Sequence, residues 1–166
     1  MISRLLLTVT LAYTSLSAIG QTGTFVYPTT HMRWDEIVCH IDGGVVRLGN
    51  DWRGDIAYTV ERNKIYSGYS TSSFNLSYTF REGKFYIGDS YFTDAITYTL
   101  DGKYIYVGDS TFPLDLAYSI AQDRNNPGIL NIFKEDSISP FDIVAVMQGD
   151  PSPAEVFAIL LTMGLL

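Results

Sequence analysis

Apolar and polar residues alternate one by one through most of this chain, and the alternation restarts about every 20 residues. The clearest statement runs from Lys84 to Leu100. Phe85-Tyr86-Ile87-Gly88-Asp89-Ser90 is followed by a short linker and then by Asp94-Ala95-Ile96-Thr97-Tyr98-Thr99-Leu100. Ile105 to Ser110 with Leu114 to Ile120 repeats it downstream, and Ile65 to Gly68 with Phe74 to Phe80 states it upstream. Alternation at period two marks β-strands, because successive side chains point to opposite faces. Each repeat therefore predicts a first strand, a linker and a second strand. Val45–Gly49 with Asp55–Val60, and Ile132–Ser137 with Asp142–Met147, fit the same scheme. Phe25-Val26-Tyr27 and Glu36 to Ile41 read as a worn copy at the front.

Turn signals separate one repeat from the next. Asp42-Gly43-Gly44, Arg62-Asn63, Glu82-Gly83 and Asp101-Gly102 are hairpin turns, and the last turn swells to Gln122–Gly128. The count is five good copies and a degraded sixth. A unit of this size is too small to bury its own face, so neighbours must share one core. The prediction is an all-β ring or funnel of five to six antiparallel hairpins, the alternative being an open solenoid of hairpins. Closure is preferred because it removes exposed sheet edges. The alternation assigns Ile56, Tyr58 and Val60, and their counterparts Leu76, Ile96, Leu116, Tyr78, Tyr98 and Tyr118, to the core.

The tail departs from this pattern. Ser152-Pro153-Ala154-Glu155 is a capping-box start with proline at the first helical position. No charge follows between Val156 and Leu166, and apolar residues go all the way round, so the helix is buried on every side or sits in a membrane. Residues 153–166 would reach about 21 Å at 1.5 Å per residue. That falls short of the ~30 Å hydrocarbon core, which favours a plug in the centre of the ring over an anchor.

Residues 1–20 read as a secretory signal: Arg4, the apolar run Leu5 to Leu11, and small residues at Ala18 and Gly20 before Gln21. The expected organisation is a signal over 1–20, a repeat domain over 21–150 and the apolar helix over 151–166. Export to the periplasm or the extracellular space follows. Segment 1–20 carries one arginine and no acid, so the remainder holds 10 bases against 18 acids, a balance of −8. That balance excludes nucleic acid as a partner and disfavours anionic lipid. Cys39 is the only cysteine, so no intrachain disulfide forms, and it falls where other copies carry Tyr. After residue 20 no transmembrane span is expected.

Few residues suggest chemistry. Asp89, Asp109 and Asp136, each followed by Ser, recur at the ends of first strands; a ring of such carboxylates would suit Ca²⁺. The plainer reading is that Asp and Ser bond their own turn backbone, and no loop holds a dense Asp-x-Asp pattern. Tyr66, Tyr86 and Tyr106 neighbour core-facing residues and should point outward, with Arg47 at the same position in a flanking copy. Aromatic faces beside hydroxyls suit a glycan or a peptide. The alternative is a cross-strand ladder that steadies the sheet. His31 and His40 lack metal-ligand spacing, and no nucleophile or phosphate-binding motif occurs. No enzyme activity and no cofactor are expected, Ca²⁺ at the aspartates excepted.

The signal, five two-strand repeats of about 20 residues and the greasy tail together resemble the five-fold beta-flower family of small exported bacterial proteins, the resemblance covering Val45 to Leu166. The resemblance implies a ring or funnel of hairpins with the terminal apolar segment at its centre, and it implies no activity. The long turn at 122–128 and the partial sixth copy depart from that pattern. Two functions remain open: a binding or interaction module of the cell envelope, or a structural envelope protein with no small ligand. Hydrolysis of envelope polymers is a distant third.

Overall fold

The computed structural model describes residues 23–166; the expected signal over 1–20 lies outside them. Twelve strands form one closed antiparallel barrel in which each strand pairs with its sequence neighbours and β1 pairs with β12 to complete the circuit. The strands are β1 Thr24–Tyr27, β2 Cys39–Asp42, β3 Val45–Leu48, β4 Ile56–Glu61, β5 Lys64–Ser67, β6 Leu76–Arg81, β7 Lys84–Ile87, β8 Ile96–Asp101, β9 Tyr104–Val107, β10 Leu116–Gln122, β11 Ile129–Lys134 and β12 Ile143–Gln148. Closure leaves no edge strand among the described residues. The front copy supplies a full unit, β1 and β2, so the repeat count is six.

The barrel has two unlike ends. Tight turns such as Gly43-Gly44 and Glu82-Gly83 gather at one, where both turn residues take positive φ. The larger turn 123–128 at that end is organised by Asp123, whose Oδ1 accepts from the amides of Asn125 and Asn126 at 2.8 and 2.9 Å. The other end carries six longer loops, 28–38, 49–55, 68–75, 88–95, 108–115 and 135–142, five of which contain a 3₁₀ turn.

Each of the five pairings across a loop from β3 to β12 slips by one residue, for example between Val46 and Arg47 or between Phe85 and Tyr86. An extra residue on one strand bends it and breaks the alternation. Here the break moves Ile56, Leu76, Ile96 and Leu116 off the core face, a correction to the strict period-two reading. They pair with Arg47, Tyr66, Tyr86 and Tyr106, all on the outer face. The barrel is therefore apolar inside throughout and apolar outside in a belt near the loop end.

Inside, Val26, Val46, Ile65, Phe85, Ile105 and Ile132 from the first strands surround the α-helix Pro153–Thr162, α1. Its start has the expected capping box: Ser152 Oγ accepts from the Glu155 amide at 3.3 Å and Glu155 Oε2 accepts from the Ser152 amide at 2.8 Å. At its far end Gly164 takes φ 68°, and the Gly164 and Leu165 amides donate to Leu161 and Leu160. This closing motif leaves few carbonyls of the last turn unpaired inside the apolar lumen. Phe157 anchors the helix: its ring stacks on Phe85 with centroids 3.8 Å apart and takes the edges of Tyr78 and Tyr98. Val156, Phe157, Ile159 and Leu160 are fully enclosed. Among the described residues no helix is long and apolar enough to cross a membrane.

Candidate functional site

At the loop end the first strands finish on a residue with positive φ: Gly49, Gly68, Gly88 and Gly108, with Glu135 in the same conformation at the equivalent place. The carbonyls of Gly68, Gly88 and Gly108 accept from Thr59, Thr79 and Thr99 Oγ1 at 2.6–2.7 Å, and His40 Nδ1 lies 2.7 Å from the Gly49 carbonyl. Four of the six loops are thus pinned to the outer face of a second strand. His40 itself is 6 % exposed and stacks against Phe25.

The Asp-Ser pairs divide the next task. Ser90, Ser110 and Ser137 Oγ accept from the amides two residues on, at 3.2, 3.1 and 3.1 Å, which starts each turn. Asp89 pairs with Lys64 and Arg81, and Asp109 with Lys84, so two of the three candidate Ca²⁺ ligands are already paired with cations. The bond to Asp109 pushes the Lys84 pKa up. Asp136 lies with Lys134, Glu135 and Asp142 in a separate loop. Among the described residues no three acidic, His or Cys side chains gather as a cation cage.

The row Tyr66, Tyr86 and Tyr106 faces outward but is covered. Tyr66 and Tyr106 are 8 % and 9 % exposed, flanked by Thr59 and Thr99 on one side and the displaced Leu76 and Leu116 on the other. Tyr86 is half-buried beneath the Arg81 guanidinium, and Arg47 donates to the Gly54 carbonyl at 3.2 Å. These four residues pack as a ladder that leaves little ring surface open to a ligand.

The open aromatic surface is in the loops themselves. Phe74, Leu114 and Phe141, in the middle of 3₁₀ turns, are 97–98 % exposed, and Trp52, Tyr69, Tyr91, Phe92, Phe112 and Ile138 project around them. Together with Trp34 they give every one of the six loops at least one exposed aromatic ring. Exposed apolar groups gathered at one end of a molecule mark a contact face. The same loops hold 11 of the 18 acids and two of the 11 bases, Arg33 and Arg53. The result is a ring of apolar tips with an acidic fringe.

Within that ring the barrel mouth is an apolar funnel. Leu48, Ile87 and Val107 face inward opposite Cys39, Tyr78 and Tyr98 yet remain about half exposed. Below them Tyr58, Tyr78, Tyr98 and Tyr118 line the wall. Burial raises the pKa of Tyr58, Tyr98 and Tyr118, and neighbouring phenols push Tyr58 and Tyr98 further up. Tyr118 Oη donates to the Leu165 carbonyl at 2.6 Å, tying the tail to the wall. Cys39 stands in for a tyrosine here, with no exposure and a thiol pushed up to about 12 by burial.

The aromatic tips were not singled out from the sequence, although a signal exists. Each linker is rich in Ser, Thr, Asp and Gly, and a bulky ring there has no strand alternation to account for it.

A closed barrel of repeated hairpins around an apolar helix defines a β-flower protein. Residues 26–150 match the family described as "6-fold beta flower protein", and the chain belongs to that family. Its fold is six-fold, in place of the five-fold arrangement that the resemblance in sequence implied, because the worn front copy builds a complete unit. No curated protein and no solved structure matches the chain.

Proposed function

We propose that this protein is an exported interaction module of the cell envelope, and that it meets its partner with the loop end of the barrel. The observation that carries the reading is the set of exposed apolar side chains on all six loops, almost completely exposed on three of them, at one end of a molecule whose strands are otherwise well covered. Leaving such groups in water costs roughly 25 cal/mol for each Å² that a partner would cover. The acidic fringe limits the partner's chemistry. Eleven acids against two bases repel anionic lipid and disfavour face-to-face pairing of two copies. A peptide or protein surface offering apolar and basic groups fits both features.

The test is a peptide and glycan array probed with the wild type and with a Phe74→Ser, Leu114→Ser, Phe141→Ser triple variant. These side chains touch solvent almost entirely, so the variant should melt within a few degrees of wild type. The expected result is binding to basic, aromatic-rich peptides that weakens with salt and is lost in the variant. Binding that survives in the variant would overturn the reading. Silence of both proteins on every probe would favour the structural envelope role.

A further inference from the structure

The plug does not fill the lumen. α1 packs most closely against β2 to β5, where Cys39 and Val46 present small side chains. On the opposite wall Leu100, Ile120 and Leu130 pack against the core yet are only partly buried. Between that wall and the helix runs a cleft of about 280 Å³, floored by Phe85, Ile105 and Phe157 and open to solvent at the tight-turn end between Lys103 and Pro151. It lies at the other end of the barrel from the aromatic tips and is independent of them.

We propose that this cleft binds a single-chain amphiphile with an anionic head, in the manner of a medium-chain fatty acid. Its lining is apolar except at the rim, where Lys103 and Gln122 stand. That division, an apolar body with a few polar groups at one end, is the usual build of a small-molecule site. At roughly 30 Å³ for each water-sized group, the volume holds a chain of about nine carbons, too little for a two-chain lipid.

The charges around the mouth favour an anion. Lys103 is the one charged residue of the lining, and its ammonium rests 4.9 Å from the Tyr104 ring centroid, an exposed contact that a carboxylate can replace. Asp101 follows the inward Leu100 and therefore points to the outer face. Glu155 is already engaged by the Ser152 amide.

Calorimetric titration of the full protein with decanoate below its micellar concentration, and with decanol below its solubility limit, tests the site. The expected result is one saturable site for each ligand. Lys103→Gln should weaken decanoate about tenfold while leaving decanol unchanged, as loss of a charge-assisted contact requires. Leu130→Trp or Ile120→Phe, either of which fills the cleft, should abolish both titrations in a protein that still melts cooperatively. The Phe74/Leu114/Phe141 triple variant should bind both ligands like wild type. The absence of saturable binding to wild type would overturn the proposal. So would unchanged binding by the two filling variants, or loss of binding in the loop-tip variant.

Discussion

One backbone position repeats around the loop end with a single change of residue. Gly49, Gly68, Gly88 and Gly108 take φ between 58° and 70°, and Glu135 does the same at φ 54°. A Cβ on Gly88 would meet nothing within 4 Å, so the cost of Gly88→Ala is conformational alone. Left-handed backbone costs a non-glycine residue about 1–2 kcal/mol. After the greater freedom of glycine in the unfolded chain is set against that cost, Gly88→Ala should destabilise the protein by about 0.5–1 kcal/mol and lower the urea midpoint, and Glu135→Gly should stabilise it by about as much and raise the midpoint. Cys39 gives a second test at this scale. Its thiol titrates near 9.0 when free and about 12 in the fold, because burial disfavours the thiolate. Below pH 9 both states keep the proton and the group is neutral in the balance. As the pH rises above 9 the unfolded chain loses its proton first, so stability falls by up to about 1.4 kcal/mol for each unit until the folded thiol also titrates. Denaturation from pH 8.5 to 10 should show a steeper decline for wild type than for Cys39→Ala. Parallel slopes would place the thiol in contact with water.

At the scale of elements, what the sequence made legible was whatever obeys a period. The strands, the tight turns and the capped apolar helix lie within a few residues of their predicted places, since each rests on local chemistry. The closure of β1 on β12 was less visible, because it joins residues more than 100 positions apart. Nothing covalent holds that seam, but Tyr27, Ile37 and Val146 form a second apolar cluster there. The bulges escaped the period-two reading for a physical reason. An inserted residue leaves the apolar pattern intact while reversing which face it meets, so Leu76 and Ile96 look like core residues and instead cover Tyr66 and Tyr86. The candidate site lies outside any such period. The outward tyrosines were conspicuous because they repeat, whereas Phe74, Leu114 and Phe141 belong to linkers whose exposure no local pattern announces.

As a whole molecule the protein is a closed wall organised by a helix from its own tail. The helix packs against one side of the lumen and leaves the cleft on the other. Its four fully enclosed large side chains, Val156, Phe157, Ile159 and Leu160, contribute about 1.5–3 kcal/mol each to burial. Their sum is comparable to the ~5–15 kcal/mol net stability of a typical domain. An empty lumen lined by Phe85, Ile65 and Ile105 would also admit water onto apolar surface. The direct measurement is a thermal melt of the protein lacking residues 153–166, compared with the full-length chain. A barrel built around this helix should show no cooperative transition once it is removed, and should aggregate or bind a hydrophobic dye at room temperature. A sharp transition near that of the full-length protein, from a soluble monomer, would contradict the account.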